Sequence, residues 1–253
     1  MRHVLLLGGT TEAATLARLL ADRGIRATYS YAGRVADPKP QPLPVRVGGF
    51  GGVEGLRAFL RAEGISHVID ATHPFAATMS RNALAACTAE GVALIAHERP
   101  PWQAGEGDDW THVPDPDAAV AALPVAPARV FLAIGRQNQA PFAACPQHHY
   151  LLRLVDPPDG PLPLAGAGAV IARGPFTVAG DRDLLIRHRI GLIVAKNSGG
   201  AGAEAKLIAA RDLGLPVILI DRPRLDGRRV AADPEKVLRW LDHGADPGAD
   251  RGV

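Results

Sequence analysis

Short apolar runs alternate with segments of helical period along almost the whole chain. His3–Leu7 is the first run, stopped by Gly8, and it predicts a strand. Glu12–Asp22 follows with Ala13, Leu16, Ala17 and Leu20 on one helical face and Gly24 just beyond its end. Arg26–Tyr31 predicts a second strand. The stretch "ADPKPQPLP" is broken by prolines and reads as loop, and "VGGFGG" leads into a helix over Val53–Glu63. His67–Asp70 predicts a strand, Ala76–Glu90 a helix, and Val92–Ala96 a strand again.

The pattern weakens between Pro100 and Pro127, where prolines surround the acidic "GEGDDW". It then restarts with strands over Arg129–Ile134, Tyr150–Leu154 and Ala169–Ala172 and a helix over Asp181–His188. A strand over Gly191–Ala195, a helix over Ala203–Leu213, a strand over Pro216–Ile220 and a helix over Pro234–His243 complete the series. Such alternation predicts an α/β fold on mainly parallel sheets. The expected architecture is two Rossmann-like domains, residues 1–127 and 128–243, with a cleft between them. Residues 244–253 are small and polar and are expected to fray.

Composition narrows the function classes. Of 253 residues, 47% are apolar and 5% aromatic, which suits a core of Leu, Val, Ile and Ala. The formal net charge of +2 gives no global field that would favour nucleic acid or a membrane surface. Cys87 and Cys145 form neither a disulfide framework nor a zinc site, and His148 and His149 are adjacent instead of at ligand spacing, so no metal is expected. "HVLLL" is shorter than the apolar region of a signal peptide, and no run approaches membrane-spanning length. A soluble, cytoplasmic protein is expected.

The first strand-to-helix turn, "LLLGGTTEA", carries the first candidate chemistry. A dinucleotide fingerprint wants glycines for a tight turn, for close approach to a pyrophosphate and for close helix packing. Gly8 fills the first place, Thr10 the second and Ala13 the third, with Gly9 between them. Thr10 departs from the pattern, although its hydroxyl and that of Thr11 can donate to a phosphate at the helix N-terminus. The second strand ends in "YSYAGR", without the acid that usually bonds a ribose hydroxyl in NAD sites. Ser30, Gly33 and Arg34 offer instead a hydroxyl, a glycine and a guanidinium suited to a 2′-phosphate, which points to NADPH.

Two further stretches follow strands. "IDATHPFA" places Asp70, Ala71, Thr72 and His73 at a carboxyl end, where open α/β sheets bind ligands, and Thr72 or His73 can cap the next helix. A lone histidine at a cap is more often structural than catalytic, so His73 is a candidate for contact with cofactor or substrate. "AKNSGGAGAEAK" holds Lys196, Asn197, Ser198 and Gly199 in a glycine-rich loop whose N–H groups can cradle an anion. Lys206 falls in the first turn of the following helix, where it opposes the helix dipole unless an anion is near. Half of the four lysines lie in this segment. Arg136, Arg153 and Arg173 also follow predicted strands, and aligned strands would bring these cations to one rim suited to a substrate with several carboxylates. The Tyr-x-x-x-Lys pair of short-chain dehydrogenases, a G-x-S-x-G elbow, H-E-x-x-H and a Walker lysine loop are all missing.

Taken together, "LLLGGTTEA", "YSYAGR", "GGFGG", "IDATHPFA", "AIGRQN", "RGPF" and "AKNSGGAGAEAK…AARDLGLPVILIDRP" make the chain resemble the precorrin-6A reductase family of cobalamin biosynthesis. The resemblance runs from about residue 3 to residue 240, and its His-Pro-Phe and Lys-Asn-Ser-Gly-Gly elements are more specific than the glycine turn. It implies NADPH-dependent reduction of a double bond of precorrin-6A, a polycarboxylated tetrapyrrole, to give precorrin-6B, with the cobalt-free macrocycle as default substrate. Lys196 and His73 are then the candidate catalytic residues, with water as a third proton source. Gly8 to Thr11, Ser30, Gly33, Arg34, Asp70 to Thr72 and Asn197 to Gly199 are the candidate cofactor contacts. Arg136, Arg153, Arg173 and Lys206 are the candidates for substrate carboxylates. A non-catalytic NADP sensor and a reductase of another polycarboxylate remain the alternatives.

Overall fold

The computed structural model describes residues 2–32, 39–158 and 160–243. Gly33, Arg34 and the tail from residue 244 lie outside the described residues. Contacts divide the chain into two compact units, residues 1–99 with 224–253 and residues 100–223.

The first unit begins with β1 (Val4–Leu7), α1 (Thr11–Asp22), β2 (Ala27–Tyr31), β3 (Val45–Val47), α2 (Gly52–Ala62), β4 (His67–Asp70), α3 (Ala77–Glu90) and β5 (Ala93–His97). β1 is buried on both faces, and the pleat sends alternate residues to opposite sides. Val4 and Leu6 join Leu16 and Leu20 of α1, while Leu5 and Leu7 join Leu56 and Leu60 of α2 with Ala83 of α3. Each leucine buried in this way contributes about 1.5–3 kcal/mol.

The second unit holds β6 (Trp110–Val113), α4 (Pro116–Ala121), β7 (Arg129–Ala133), β8 (His149–Leu154), β9 (Gly168–Ile171), α5 (Val178–Arg187), β10 (Leu192–Lys196), α6 (Ala205–Leu213) and β11 (Val217–Ile220). Its six strands lie in the order β6-β11-β10-β7-β8-β9, all parallel. Phe131, Leu151, Ile193 and Leu219 pack with Leu185 of α5 and Leu207 of α6.

The chain then returns to the first unit as β12 (Arg229–Ala231) and α7 (Pro234–His243). β12 pairs with β5, and Val237, Leu238 and Leu241 of α7 join the core around α1. The first sheet is therefore β12-β5-β4-β1-β2-β3, all parallel. In sequence order this is the doubly wound 3-2-1-4-5-6 arrangement, with the order reversing between β1 and β4.

Two expectations are corrected. The sequence suggests a junction near residue 127, whereas contacts divide the chain after Arg99. β6 lies in the proline-rich stretch yet pairs residue for residue with β11, which ties it to the second unit. The helix after "IDATHPFA" starts at Ala77 with Ala76 as N-cap and no side-chain cap, so neither Thr72 nor His73 caps it. Among the described residues, no helix is long and apolar enough to cross a membrane.

Candidate active site

In an open parallel sheet the binding crevice lies outside the carboxyl ends of the strands where their order reverses. The β1–α1 turn occupies that place in the first unit. At Gly8 a Cβ would fall 2.2 Å from Cζ of Tyr29, so only glycine admits that buried ring against the turn. The Tyr29 hydroxyl accepts the Gly9 N–H at 2.9 Å, and burial raises the phenol well above its ordinary range, keeping it neutral. Gly9 has φ +111° and is exposed, and a Cβ there would meet nothing within 4 Å, so the space over the turn is open.

Thr10 is the N-cap of α1. Its hydroxyl accepts from Ala13 N at 3.1 Å and donates to the Ala71 carbonyl at 2.8 Å. The expected donation of this proton to a phosphate is corrected accordingly: it ties the first turn to the end of β4. Thr11 is exposed at the first position of α1, and the N–H groups of Thr11 and Glu12 have no acceptor within the helix. With the positive end of the helix dipole, open space and outward N–H groups, this turn fits a pyrophosphate.

Ser30 sits buried near the end of β2, and its Oγ accepts from Arg46 Nη1 at 3.0 Å. Arg46 belongs to β3, which begins just after the proline-broken "ADPKPQPLP" and which the sequence pattern does not mark as a strand. Nη1 also donates to the Gly48 carbonyl at 2.8 Å and Nη2 to that of Gly49 at 3.1 Å, while the guanidinium lies 3.8 Å over the Phe50 ring. Partial burial lowers its pKa, but a guanidinium stays charged near neutral pH. Among the described residues it has no carboxylate partner. Its Nε–H and one Nη2–H are left over from the five donors of the group.

Asp70 closes β4 and is buried. Its Oδ1 accepts from the Thr72 N–H at 3.2 Å and the Thr72 hydroxyl at 2.7 Å, and its Oδ2 from Arg228 Nη1 at 3.0 Å. Ala71 is buried, bonded through its N–H to the Leu7 carbonyl at 2.9 Å. His73 is exposed, and its Nδ1 accepts from the Phe75 N–H at 3.2 Å, so this tautomer carries its proton on Nε2. Asp70, Ala71 and Thr72 thus shape the turn, and His73 presents an imidazole beside it.

In the second unit the parallel strands bring Arg136, Arg173 and Lys196 to one carboxyl edge. Arg136 and Arg173 converge on the loop after β8: Arg136 Nη2 donates to the Asp156 carbonyl at 3.2 Å and Arg173 Nη2 to the Asp156 carboxylate at 3.0 Å. Lys196 ends β10. Arg153 and Lys206, expected on the rim, are turned inward. Arg153 forms a two-point ion pair with buried Asp181 and stacks on Phe176 at 4.1 Å. Lys206 donates to the Ala203 carbonyl and lies 4.6 Å over the Trp102 ring. It is 4% exposed, and burial, with Arg153 nearby, pulls its pKa down to about 7. Packing against Trp102, which lies far away in sequence, draws it from the surface.

The glycine-rich loop is likewise a packed clamp. The buried Asn197 amide brackets the Trp102 backbone, accepting its N–H at 2.8 Å and donating to its carbonyl at 3.1 Å. Arg222 donates to the carbonyls of Asn197 at 2.8 Å and Ser198 at 3.0 Å, and Trp102 Nε1 donates to that of Gly200 at 3.1 Å. Gly199 has φ +66°, and a Cβ there would fall 2.0 Å from the Pro100 carbonyl oxygen. Trp102, Arg222, Arg46 and Arg228 are the residues that sequence reasoning passed over. Arg46 and Arg222 each follow or lie in a strand near its carboxyl end, the one signal that could have marked them.

The family model described as Precorrin-6x reductase CbiJ/CobK matches residues 3–242. A precorrin-6A reductase of Rhodobacter capsulatus is 67% identical, with all of both chains covered. One from a Sinorhizobium species is 51% identical over 95% of this chain and 93% of its own. The solved structure described as CobK precorrin-6A reductase superposes with a TM-score of 0.92 at 67% identity, covering 100% of both chains.

Proposed function

This chain belongs to the precorrin-6x reductase family, and we propose that it reduces precorrin-6A to precorrin-6B in cobalamin biosynthesis with NADPH as hydride donor. The cobalt-free macrocycle is the proposed form, in line with the names of the relatives at 67% and 51% identity. Dependence on a diffusible NADPH pool assigns the reaction to the cytoplasm.

When bound, the nicotinamide supplies a hydride to one carbon of the reduced double bond, whose neighbour needs a proton. The chain's task is positioning and charge stabilisation. Gly8 and Gly9 leave room for the pyrophosphate, and the N–H groups of Thr11 and Glu12 receive it, with Thr10 fixing the turn. Asp70, Ala71 and Thr72 border the same site. His73 and Lys196 are the two candidate proton donors, His73 through Nε2–H. Asn197, Ser198 and Gly199 act by holding the strand end that presents Lys196. Arg136 and Arg173 receive carboxylates of the tetrapyrrole, and Arg153 supports them from inside the sheet.

The observation that carries the choice of NADPH is the Ser30–Arg46 pair, which stands where an NAD site usually has an acid. Arg46 is held flat on Phe50 with two N–H groups to spare, so it receives a 2′-phosphate at little cost in side-chain ordering. Arg34 and Gly33 complete this end of the proposal. Arg46→Gln and Arg34→Ala are each expected to weaken NADPH by about 1.5–3 kcal/mol, the range of a charged hydrogen bond, and to leave NADH unchanged. Steady-state kinetics with both cofactors decides it. Equal losses for NADPH and NADH would remove that arginine from the 2′-phosphate site.

A further inference from the structure

We propose that Arg228 is a positioning residue for the cofactor turn of the first unit, supplied by the segment that returns from the far end of the chain. The inference rests on the cofactor reading above. Arg228 lies 158 residues from Asp70 in sequence, yet its side chain is only 5% exposed and spans two carboxylates. Nη1 donates to Asp70 Oδ2 at 3.0 Å, and Nη2 donates to Glu98 Oε1.

The route from Arg228 to the cofactor turn is continuous. Asp70, held through Oδ2, uses Oδ1 for both the N–H and the hydroxyl of Thr72. Ala71, between them, accepts from the Thr10 hydroxyl, and Thr10 caps the helix whose N-terminus receives the pyrophosphate in this reading. The orientation of the guanidinium points the same way. Its Nε is buried without a partner, so the group spans Asp70 and Glu98 at the expense of its own third contact. Pairing of β12 with β5, reinforced by the Glu98 N–H on the Ala231 carbonyl at 3.1 Å, fixes the backbone that carries it. Without Arg228, two carboxylates in this poorly hydrated corner would repel each other, and Asp70 would leave Thr72 to swing toward water.

The test compares wild type, Arg228→Met, Arg228→Lys, Asp70→Asn and the double variant Asp70→Asn/Arg228→Met in the full-length protein. NADPH affinity is read by cofactor fluorescence, alongside thermal unfolding and steady-state kinetics. Arg228→Met is expected to weaken NADPH about tenfold, with kcat at saturating NADPH within about twofold of wild type and partial recovery in Arg228→Lys. The double variant should bind no more weakly than the weaker single variant, because both changes cut one path. Unchanged affinity with a lowered melting temperature would make Arg228 a stabilising ion pair only and overturn the proposal. So would additive losses. If Arg228→Met does not fold, Arg228→Lys and Asp70→Asn carry the same test. Failure of wild type to bind NADPH would instead overturn the cofactor reading.

Discussion

Gly199→Ala is expected to destabilise the second unit by at least ~3 kcal/mol and to remove activity with it. The glycine has φ +66°, where an alanine costs about 1–2 kcal/mol before any contact is counted. Its Cβ would then lie 2.0 Å from the Pro100 carbonyl oxygen and 2.4 Å from Arg222 Nη2. The carbonyl is backbone, held close to the Trp102 peptide that Asn197 brackets on both sides. Relief therefore requires the loop to withdraw, which breaks the bonds from Arg222 to the Asn197 and Ser198 carbonyls. Buried groups left unpaired cost about 1–3 kcal/mol each. Gly202→Ala, where a Cβ would meet nothing within 4 Å, serves as the quiet control in urea unfolding. A Gly199→Ala protein as stable as wild type would mean that the loop is slack and its glycines serve another purpose.

Lys206→Met is expected to raise stability most at and below neutral pH, with an advantage that shrinks as pH rises. An unfolded lysine keeps its proton to about pH 10.4. The folded one gives it up near pH 7, because burial disfavours its charge. Between these values the unfolded chain binds more protons, so wild-type stability increases with pH through this residue. Below about pH 7 the penalty is fully present, since the amine is charged in both states. Methionine keeps the stem and has no proton to lose, so the gap between variant and wild type should close by about 2 kcal/mol from pH 7 to pH 9. Arg153, Asp181 and Glu204 lie around this position in both proteins, and their own titration largely cancels in the difference. Denaturant unfolding of both proteins across this range provides the measurement. A gap that does not move with pH would place the amine in contact with water.

Most of the strands legible in the sequence are well buried, the edge strand β9 being an exception. Val4–Leu7 and Val217–Ile220 form unbroken apolar runs, because helices cover both sides of a parallel sheet. Val45–Val47, Trp110–Val113 and Arg229–Ala231 escaped notice because each is a short edge strand with exposed residues. The return of the chain to its first unit had no local signal at all, since it depends on β12 meeting β5 more than a hundred residues earlier. The same limit applies to the candidate site. Gly8, Asp70 and Lys196 stand at strand ends and can be read one segment at a time. The partners that fix their surroundings, Arg46, Arg228, Trp102 and Arg222, come from other segments. Lys206 shows the limit most clearly: its place on the helix suggested a clash with the dipole, whereas tertiary packing against Trp102 decides its chemistry.

The central claim is tested most directly by anaerobic incubation of the protein with precorrin-6A and NADPH carrying deuterium at the transferable position. The account predicts oxidation of one NADPH per macrocycle and a product that gains one deuterium from the cofactor and one hydrogen from solvent, with NADH far slower. No cofactor oxidation, or a tetrapyrrole recovered with unchanged mass and absorbance, would contradict it.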